Sequence, residues 1–435
     1  MQQVSSWGRL RRVPHRVTRP AFLDQARDAL RAADGPLLCF GMGRSYGDVC
    51  MNENGRLLVT DMLDRILVFD RARGVLRAEA GLTLDRLLRV AVPQGWFPPV
   101  VPGTKFVTLA GAVANDVHGK NHETAGTLGA HVRALGLARS SGEVLTLSRQ
   151  ENAELFAATI GGLGLTGAIL WVELQLSAIR SAMIDTETFA IDDLAGFFRR
   201  AEESRDWPYT VAWVDCLAKG SAMGRGFFIR GRHADTGGFD VHRAPALGVP
   251  LDAPGGLLNA YTIGAFNALY RHRPFVLGAK QVHYDPFFFP LDAVAGWNRL
   301  YGPRGFFQHQ SAVPLAGAFE TVRKLLELTA EFAEGSFLVV LKLFGDRPSP
   351  GVLSFPLPGA TLALDFPNKG ESTRRLLDRM TDIVLAAGGR LYPAKDATMS
   401  GAAFRAGYPA WRTVEARRDP AIMSDFWRRV TAEAA

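Results

Sequence analysis

Hydrophobic positions up to residue 177 alternate between helical and strand spacing. Residues 21–34 carry apolar side chains three and four positions apart, which predicts a helix that ends at Gly35-Pro36. Thr83 is a suitable N-cap for a second helix that ends near Pro93. The other elements predicted in this part are strands at 37–40, 56–63 and 75–81, a hairpin over 132–148 with its turn at Ser141-Gly142, a helix at 153–159 and an apolar run at 161–176. This alternation of short strands and helices predicts an α+β fold.

The pattern changes after residue 177. Residues 240–290 are rich in Pro, Gly and aromatic residues and show little periodicity, and a new segment starts at Arg390. The elements predicted here are helices at 192–205, 317–334 and 372–389 and strands at 209–218, 224–231, 337–345 and 360–366.

Composition narrows the class of protein. Three cysteines without a CxxC spacing argue against a disulfide framework and fit a reducing compartment. The net charge of +7 is spread along the chain without a basic block, so we expect no nucleic-acid partner. No apolar run of about 18 residues occurs, and the N-terminus lacks the apolar core of a secretion signal. We therefore expect a cytoplasmic protein.

A glycine-rich loop follows the strand predicted at 37–40. A Rossmann site would need GxGxxG opening a helix, but here Gly41 and Gly43 are followed by Tyr46-Gly47 and then by polar, turn-like sequence. A P-loop is also excluded, because no GxxxxGK[ST] motif occurs. By itself the loop fits either an anion site made of backbone amides or an ordinary tight turn.

Two further loops of small residues extend the pattern. The segment 102–121 contains Pro102-Gly103-Thr104 and the run TLAGA at 108–112, has no clean period, and is predicted to be a ligand-binding loop system. The third loop is GGLGLTG at 161–167. Three backbone-exposing loops on short strands suit an extended dinucleotide.

These motifs together resemble the FAD-binding domain of the vanillyl-alcohol-oxidase-type flavoproteins, and more closely the decaprenylphosphoryl-ribose 2′-oxidase group. The resemblance rests on FGMGRSYGD at 40–48, VPGTKFVTLAGAVANDVHGKNH at 101–122 and GGLGLTG at 161–167, and it continues through PLDAVAGWNRLYGPRGFFQHQ, FLVVLKLFG, FPLPG and GGRLYPAKD. It implies an α+β protein with a PCMH-type FAD-binding domain at 1–177, an antiparallel-sheet substrate cap at 178–388 and a C-terminal segment at 389–435 that returns to the FAD domain.

The resemblance implies that FAD is bound by the three loops, with its isoalloxazine beside His118 and Tyr392. Many relatives carry at the position of Arg44 a histidine that bonds covalently to the flavin, so the arginine implies non-covalent FAD. The implied cofactor-binding residues are Gly41, Met42, Gly43, Arg44, Ser45, Tyr46, Gly47, Asp48, Gly103, Thr104, Thr108, Leu109, Ala110, Gly111, Asn115, Val117, His118, Gly119, Asn121, Gly167, Ile169 and Tyr392.

The reaction of the resembled group is the oxidation of a secondary sugar alcohol to a ketone, in which flavin takes the hydride and a base takes the hydroxyl proton. Lys395 and His118 are the implied catalytic residues. Two alternatives stay open, namely an exposed Lys395 paired with Asp396 and a purely structural His118. His118 and His122 stand four residues apart, but no third ligand follows, so we expect no metal.

The implied substrate-binding residues are Lys120, Trp213, Gln308, Gln310, Lys342, Ala363 and Lys395. Lys342 stands in the middle of an apolar strand, where a lysine needs a partner, and a substrate phosphate would supply one. The alternative is an ordinary lysine on an edge strand. At Ala363 the actinobacterial members of the group carry a cysteine. We therefore expect that inhibitors forming an adduct with that cysteine do not react here.

The implied substrate is a polyprenyl-phospho-β-D-ribose, whose 2′-oxidation begins an epimerisation to the arabinose form, and a separate NADH-dependent short-chain reductase is the implied partner. Phe275, Val276, Phe287, Phe288 and Phe289 are candidates either for a lid that touches the lipid tail or a membrane, at its inner face, or for ordinary core packing. Two alternatives are an aldonolactone or alditol oxidase on the same scaffold and a flavin-free binding protein.

Overall fold

The computed structural model describes residues 1–241, 247–271, 277–336 and 338–432. Up to residue 178 the strands are β1 (Gln2–Val4), β2 (Val13–Thr18), β3 (Leu37–Phe40), β4 (Arg56–Val59), β5 (Ile66–Asp70), β6 (Val75–Glu79), β7 (Trp96–Phe97), β8 (Val132–Ala138), β9 (Val144–Ser148), β10 (Ala168–Gln175) and β11 (Ser177–Ala178). The helices of the same part are α1 (Leu23–Arg31), α2 (Leu84–Ala91), α3 (Leu109–Ala114), α4 (His122–Ala125) and α5 (Ala153–Thr159).

Beyond residue 178 the strands are longer. They are β12 (Met183–Ile191), β13 (Tyr209–Val214), β14 (Gly226–His233), β15 (Leu247–Gly248), β16 (Gly278–His283), β17 (Val294–Ala295), β18 (Phe306–Pro314), β19 (Val339–Phe344), β20 (Gly359–Pro367) and β21 (Arg390–Leu391). The helices are α6 (Leu194–Glu202), α7 (Ala260–Arg271), α8 (Tyr284–Phe288), α9 (Ala318–Glu331), α10 (Glu371–Ala386), α11 (Gly401–Gly407), α12 (Trp411–Glu415) and α13 (Asp425–Thr431).

Three sheets of four or more strands contain most of these strands, and β7 with β11 and β15 with β17 form two short pairs. The first has the order β1-β2-β4-β3, with β2 and β3 both parallel to β4. The second is antiparallel, in the order β5-β6-β10-β8-β9. The third is an eight-stranded antiparallel sheet in the order β16-β12-β14-β13-β19-β20-β18-β21. The predicted α+β fold with an antiparallel sheet in the second half is therefore confirmed.

Local predictions based on turns and caps agree with the structure. The predicted hairpin is formed by β8 and β9, which pair from Ala138 opposite Val144 onward. The hydroxyl of Thr83 accepts a hydrogen bond from the backbone N–H of Arg86 at 3.3 Å, as an N-cap does. The predicted helix at 153–159 coincides with α5.

Two segments predicted to lack regular structure contain some. The stretch 102–121, predicted to be loop, includes α3, which is capped by Thr108 through a 3.1 Å bond to the N–H of Gly111. A helix of six residues is too short to show a 3.6-residue period, which is why the pattern missed it. The weakly periodic region 240–290 likewise includes α7, β16 and α8.

The C-terminal segment returns to both halves of the chain. Its first strand, β21, pairs with β18 at the edge of the large sheet. Further on, the N–H of Leu37 donates to the carbonyl of Ala421 at 2.7 Å, and Met423 donates back to Leu37 at 3.0 Å. Arg429 then joins two acidic residues, Asp48 at 2.7 Å and Asp396 at 3.2 Å. The division at residues 177 and 388 stays a prediction.

The aromatic triplet Phe287–Phe289 belongs to the hydrophobic core. All three side chains are buried and pack with Phe97 and Tyr284. They therefore do not form a mobile lid, and the alternative of core packing describes them. Phe275 and Val276, the other two residues of that hypothesis, lie outside the described residues, as does Phe337 at the start of the strand predicted at 337–345. Within the described ranges no helix has both the length and the apolar composition that crossing a bilayer requires.

The contact between the glycine loop and the C-terminal segment gives a testable prediction. A Cβ added at Gly47 would overlap the backbone carbonyl of Asp396, which cannot move like a flexible side chain. We expect Gly47→Ala to cost about 1–3 kcal/mol through overpacking and to lower the melting temperature measured by intrinsic fluorescence. Gly255→Ala is the control, since its Cβ would meet nothing within 4 Å. Equal melting temperatures for the two variants would contradict this packing.

Candidate active site

A cavity of about 310 Å³ lies between the three glycine-rich loops and the large sheet. One wall is made by the loops around residues 40–46, 102–118 and 163–169. The opposite wall consists of side chains from β18, β19 and β20, and the C-terminal segment contributes Tyr392 and Lys395 to the lining. The two halves of the chain thus contribute to one site.

Several positions of the loop wall are glycines. A Cβ at Gly41 would stand 2.5 Å from the hydroxyl oxygen of Thr108, so the first two loops touch back to back. Gly43 has a φ of +61°, a backbone conformation that favours glycine. A Cβ on Gly103 or Gly164 would meet nothing within 4 Å. The backbone of this wall is therefore accessible to a ligand.

Two polar groups on the cavity wall have no partner among the described residues. They are Nε of Arg44 and Oδ1 of Asn115, and both are buried. The guanidinium of Arg44 lies 4.2 Å from the centroid of the Trp7 ring, and burial lowers its pKa. Because a buried polar group without a partner is costly, these atoms indicate a ligand with both anionic and hydrogen-bonding groups. FAD, whose pyrophosphate can accept from Arg44 and whose hydroxyls can donate to Asn115, fits this pair of one donor and one acceptor.

Most residues predicted for the cofactor and the substrate line this cavity. They are Gly41, Met42, Gly43, Arg44, Ser45, Tyr46, Gly103, Thr104, Thr108, Ala110, Gly111, Asn115, Val117, His118, Gly167, Ile169, Gln308, Gln310, Lys342, Ala363, Tyr392 and Lys395. The contact of each with a cofactor or substrate stays a prediction.

Seven predicted positions do not reach the cavity wall, namely Gly47, Asp48, Leu109, Gly119, Lys120, Asn121 and Trp213. Asp48 instead pairs with Arg429, and Leu109 is fully buried in the core. The side-chain amide of Asn121 donates to the carbonyl of Pro99 at 2.8 Å. Neighbours in sequence lie on opposite sides of a loop, and the motif does not specify which side faces the ligand.

Trp213 and Lys120 are held by aromatic residues. Trp213 packs against Phe227 and Tyr270, with ring centroids 6.1 and 4.8 Å apart. The ammonium of Lys120 donates to the carbonyl of Phe287 and lies 4.4 Å from the centroid of its ring. Both residues therefore stand behind the lining of the cavity.

His118 is fixed by a side-chain amide from the opposite wall. Its Nε2 lies 2.9 Å from Nε2 of Gln310, and its ring is packed edge-on against Phe355 and Tyr392. Burial and the nearby lysines hold the pKa of His118 well below its usual range, so the ring is neutral and Nε2 accepts the amide hydrogen. The Tyr392 hydroxyl donates to the carbonyl of Asn115 at 2.9 Å, which joins the C-terminal segment to the same loop.

His122, unlike His118, does not line the cavity, and it packs against an aromatic ring. Its ring centroid lies 4.5 Å from that of Phe344, and the side chain is buried. In the part of the chain that the structure describes, no group of three His, Cys, Asp or Glu residues is placed to hold a metal ion.

Lys395 lines the cavity beside Tyr46. Its Nζ is 3.8 Å from the centroid of the Tyr46 ring. Burial lowers its pKa to about 8, while Asp365 acts in the opposite direction and Lys342 lowers the pKa further. Asp396 is engaged elsewhere, since it accepts the N–H of Met399 at 2.9 Å and contacts an arginine. The alternative of an exposed Lys395–Asp396 pair therefore does not describe the structure.

Asp365 on β20 was missed by the sequence analysis. The carboxylate is fully buried, accepts a hydrogen bond from the amide of Gln308 and receives the hydroxyl of Tyr301 at 3.4 Å. Burial raises its pKa to about 7. The signal was present, because an acid within the apolar run ATLALDF needs a partner for the same reason that Lys342 does.

Asp292 was also missed, although it lines the cavity. Its carboxylate accepts the hydroxyl of Thr104 and the backbone N–H of Lys105, both at 2.8 Å. It thereby joins the second loop to the segment after α8. No local pattern distinguishes it from a surface aspartate, because its partners are nearly 190 positions away.

Lys342 and Lys120 carry two ammonium groups without a counter-charge. Lys342 donates to the carbonyl of Gly119 at 3.1 Å. Burial lowers the pKa of Lys342 to about 8 and that of Lys120 to about 7, and for Lys120 the charge of Lys342 contributes to the shift. Among the described residues no carboxylate is part of these shifts. The two lysines therefore form a place in the site that is suited to binding an anion.

Comparisons with known proteins agree with this geometry. Residues 14–148 match the profile of the FAD binding domain family. Over 410 residues the chain is 35% identical to the decaprenylphosphoryl-β-D-ribose oxidase of Mycolicibacterium smegmatis, covering 90% of this chain and 88% of the relative. The chain belongs to the decaprenylphosphoryl-ribose oxidase family.

Two other relatives show how far the similarity extends. A Streptomyces coelicolor protein of uncharacterised function is 33% identical over 371 residues, which cover 80% of this chain and all of the relative. The L-gulonolactone oxidase of Mus musculus is 26% identical over 201 residues, which cover 44% of this chain and 45% of the enzyme. As a member of the decaprenylphosphoryl-ribose oxidase family, the chain is an FAD-dependent oxidoreductase, so the predicted cofactor is confirmed. The alternative of a flavin-free binding protein is not supported.

The presence of Arg44 in the first loop predicts how the flavin is retained. Its side chain has no nucleophile that could bond to the isoalloxazine, unlike the histidine of many relatives in the superfamily. We expect acid precipitation of the yellow holoenzyme to release all of its flavin into the supernatant, where absorbance measures it. Flavin that stays with the precipitate after proteolysis to peptides would show a covalent link and contradict the prediction.

Proposed function

We propose that this enzyme oxidises the 2′-hydroxyl of a polyprenyl-phospho-β-D-ribose to a ketone, as the first half of an epimerisation to the arabinose form. The observation that carries the proposal is the uncompensated ammonium group of Lys342 on the cavity wall, with Lys120 behind it. A sugar joined to a lipid through a phosphodiester brings one permanent negative charge, and this charge would be the partner that the two lysines lack. A free polyol or lactone brings none.

The polar side chains of the large sheet are suited to the sugar. Gln308 and Gln310 alternate with His309 along β18, so both face the cavity. The amide of Gln308 is held by Asp365, and that of Gln310 by His118. Since their orientations are fixed before substrate binds, they bind sugar hydroxyls at a small entropic cost.

Lys395 is the proposed base. FAD supplies the hydride acceptor of the reaction when it is bound. The neutral amine of Lys395 takes the hydroxyl proton, and its lowered pKa places a useful fraction of that form near neutral pH. Asp365 limits the shift, because a carboxylate nearby favours the ammonium form. The proton therefore ends on a group that already has an anionic neighbour.

The product of this step requires a second enzyme. A ketone at C2′ becomes the epimeric alcohol when a hydride is added from the other face, which needs a reductant. We therefore propose an NADH-dependent short-chain reductase as the functional partner. Because the proposed substrate carries a lipid, we also propose peripheral contact with the cytoplasmic face of a membrane.

The choice of substrate can be tested by anaerobic bleaching of the flavin absorbance. We expect polyprenyl-phospho-ribose to bleach the holoenzyme, and free ribose, arabinono-lactone and xylitol to leave it yellow. Lys342→Met should raise the concentration for half-maximal bleaching about 10–100-fold, since a hydrogen bond to a charged group contributes about 1.5–3 kcal/mol.

The exposed Lys324 of α9 provides a matched control for that variant. Lys324→Met should leave the half-maximal concentration unchanged. Bleaching by xylitol or the lactone and not by the phospholipid sugar would support instead an aldonolactone or alditol oxidase, the activity of the more distantly related gulonolactone oxidases.

The proposed base predicts a pH dependence. The active form of Lys395 is the neutral amine, so kcat at saturating substrate should rise as the pH increases through about 8. Asp365→Asn removes the charge that raises the pKa of Lys395, and the rise should then shift to lower pH. Steady-state rates between about pH 6 and 10 measure both profiles. A shift to higher pH in the variant would contradict the assignment.

A further inference from the structure

Residues 247–269 expose large apolar side chains outside the active site. The exposed fractions are 74% for Leu247, 78% for Leu251, 89% for Tyr261 and 66% for Leu269. Single exposed leucines are common, but four such large side chains within one segment of 23 residues call for an explanation. We refer to these four residues as the apolar surface.

Helix α7 has an inner face that is fixed by packing and a hydrogen bond, and an outer face that carries no charge. Its inner side is fixed by the buried Ile263 and by Asn267, whose amide donates to Asp215 at 2.8 Å. The outer side contains the exposed Tyr261, Ala265 and Leu269. Moreover, the 18 residues 253–270 contain no charged side chain. A helix facing water normally carries charges on that side, so α7 fits a non-aqueous neighbour better.

Positive charge surrounds one end of the apolar surface. Asp252, adjacent to Leu251, is paired with Arg9 at 2.7 Å. Arg299 and Arg12 also stand close enough to hold its pKa below the usual range. Three guanidinium groups beside one carboxylate leave a net positive rim. Apolar side chains with a cationic border are the pattern of a surface that rests on anionic lipid head groups.

The apolar surface adjoins the cavity. Leu258, two residues before α7, packs in the cluster of Trp297 and Leu291, and both of these line the active site. At the helix's other end Tyr270 packs on Trp213, whose backbone pairs with Val340 of the cavity wall. A lipid chain leaving the cavity on this side would therefore pass along α7.

We propose that the apolar surface docks the enzyme onto an anionic lipid bilayer, with Tyr261 and Leu269 inserted at the interface. The inference rests on the proposed function only for the lipid nature of the substrate. A second copy of the chain is a poorer occupant, since the same surface on that copy carries the same arginine rim and supplies no net negative charge for either rim to face. Tyrosine and leucine at head-group depth suit the bilayer instead.

Vesicle flotation of the holoenzyme tests this surface. We expect the protein to float with phosphatidylcholine vesicles that contain about one third phosphatidylglycerol, and less with pure phosphatidylcholine or at high salt. Tyr261→Glu/Leu269→Glu should reduce the bound fraction about tenfold or more, because two charges would enter the interface. Flavin content and melting temperature check that the variant is folded.

Leu315→Glu is the matched control. Leu315 is 57% exposed and precedes α9. The 14 residues of α9 span about 21 Å, and they separate Leu315 from the part of the chain next to α7. It should float like the unchanged protein. Absence of flotation on anionic vesicles, or an equal loss with Leu315→Glu, would overturn the proposal. The proposal would also be overturned if the unchanged protein were a dimer in analytical ultracentrifugation, the double variant were a monomer, and neither bound vesicles.

Turnover separates this inference from the proposed function. With a water-soluble, short-chain prenyl-phospho-ribose, the double variant should keep the kcat of the unchanged enzyme. If the unchanged enzyme turned over its substrate fully but did not float, only the docking proposal would be wrong. If it floated but turned over no phospho-ribose, the proposed function would be wrong and the bilayer contact would still hold.

Discussion

Burial of positive charge is the constraint on which the active site depends. Lys395, Lys342 and Lys120 all lie where loss of water opposes the ammonium form, and each has a lowered pKa. Among the described residues Asp365 is the carboxylate that opposes this shift, and it acts on Lys395. The pKa of Lys395, about 8, allows it to lose its proton near neutral pH, as the proposed base requires, and Asp365 keeps that pKa from falling further. Lys342 and Lys120 have no such carboxylate among the described residues. In the proposed reaction one electrostatic arrangement would thus serve both proton transfer and phosphate binding.

The large sheet brings these groups together from several segments of the chain. β20 lies between β19 and β18, so Ala363 pairs with Val340 on one side and Gln310 on the other. Two positions along, Thr361 pairs with Lys342. Lys395 comes from a different part of the chain, which β21 attaches to the free edge of β18. The register of four strands therefore fixes the distances between acid, amides and lysines, and a one-residue slip would turn them away from the cavity.

Sequence pattern predicted the parts of this arrangement that are local. The strand and helix periods, the cap at Thr83 and the three glycine loops all follow from neighbours within a few residues. Lys342 was identified because a charge in an apolar strand is informative wherever the strand lies. The failures share the opposite property: Asp48 is drawn to Arg429, and Asp292 to the second loop, by contacts between residues far apart in the chain. Such pairings are set by tertiary packing, which no periodicity records.

Ala363 shows which part of the cavity wall the chemistry requires. In the actinobacterial members that the sequence resembles, this position holds a cysteine, whereas here a methyl group faces the cavity between Gln310 and Val340. The surrounding groups keep their arrangement, with the amide of Gln310 on His118 and the ammonium of Lys395 on Tyr46. A thiol in such a buried place would have a raised pKa and remain protonated, so it would offer no base. In the proposed reaction the wall at this point therefore acts by shape, and the proton is taken by Lys395.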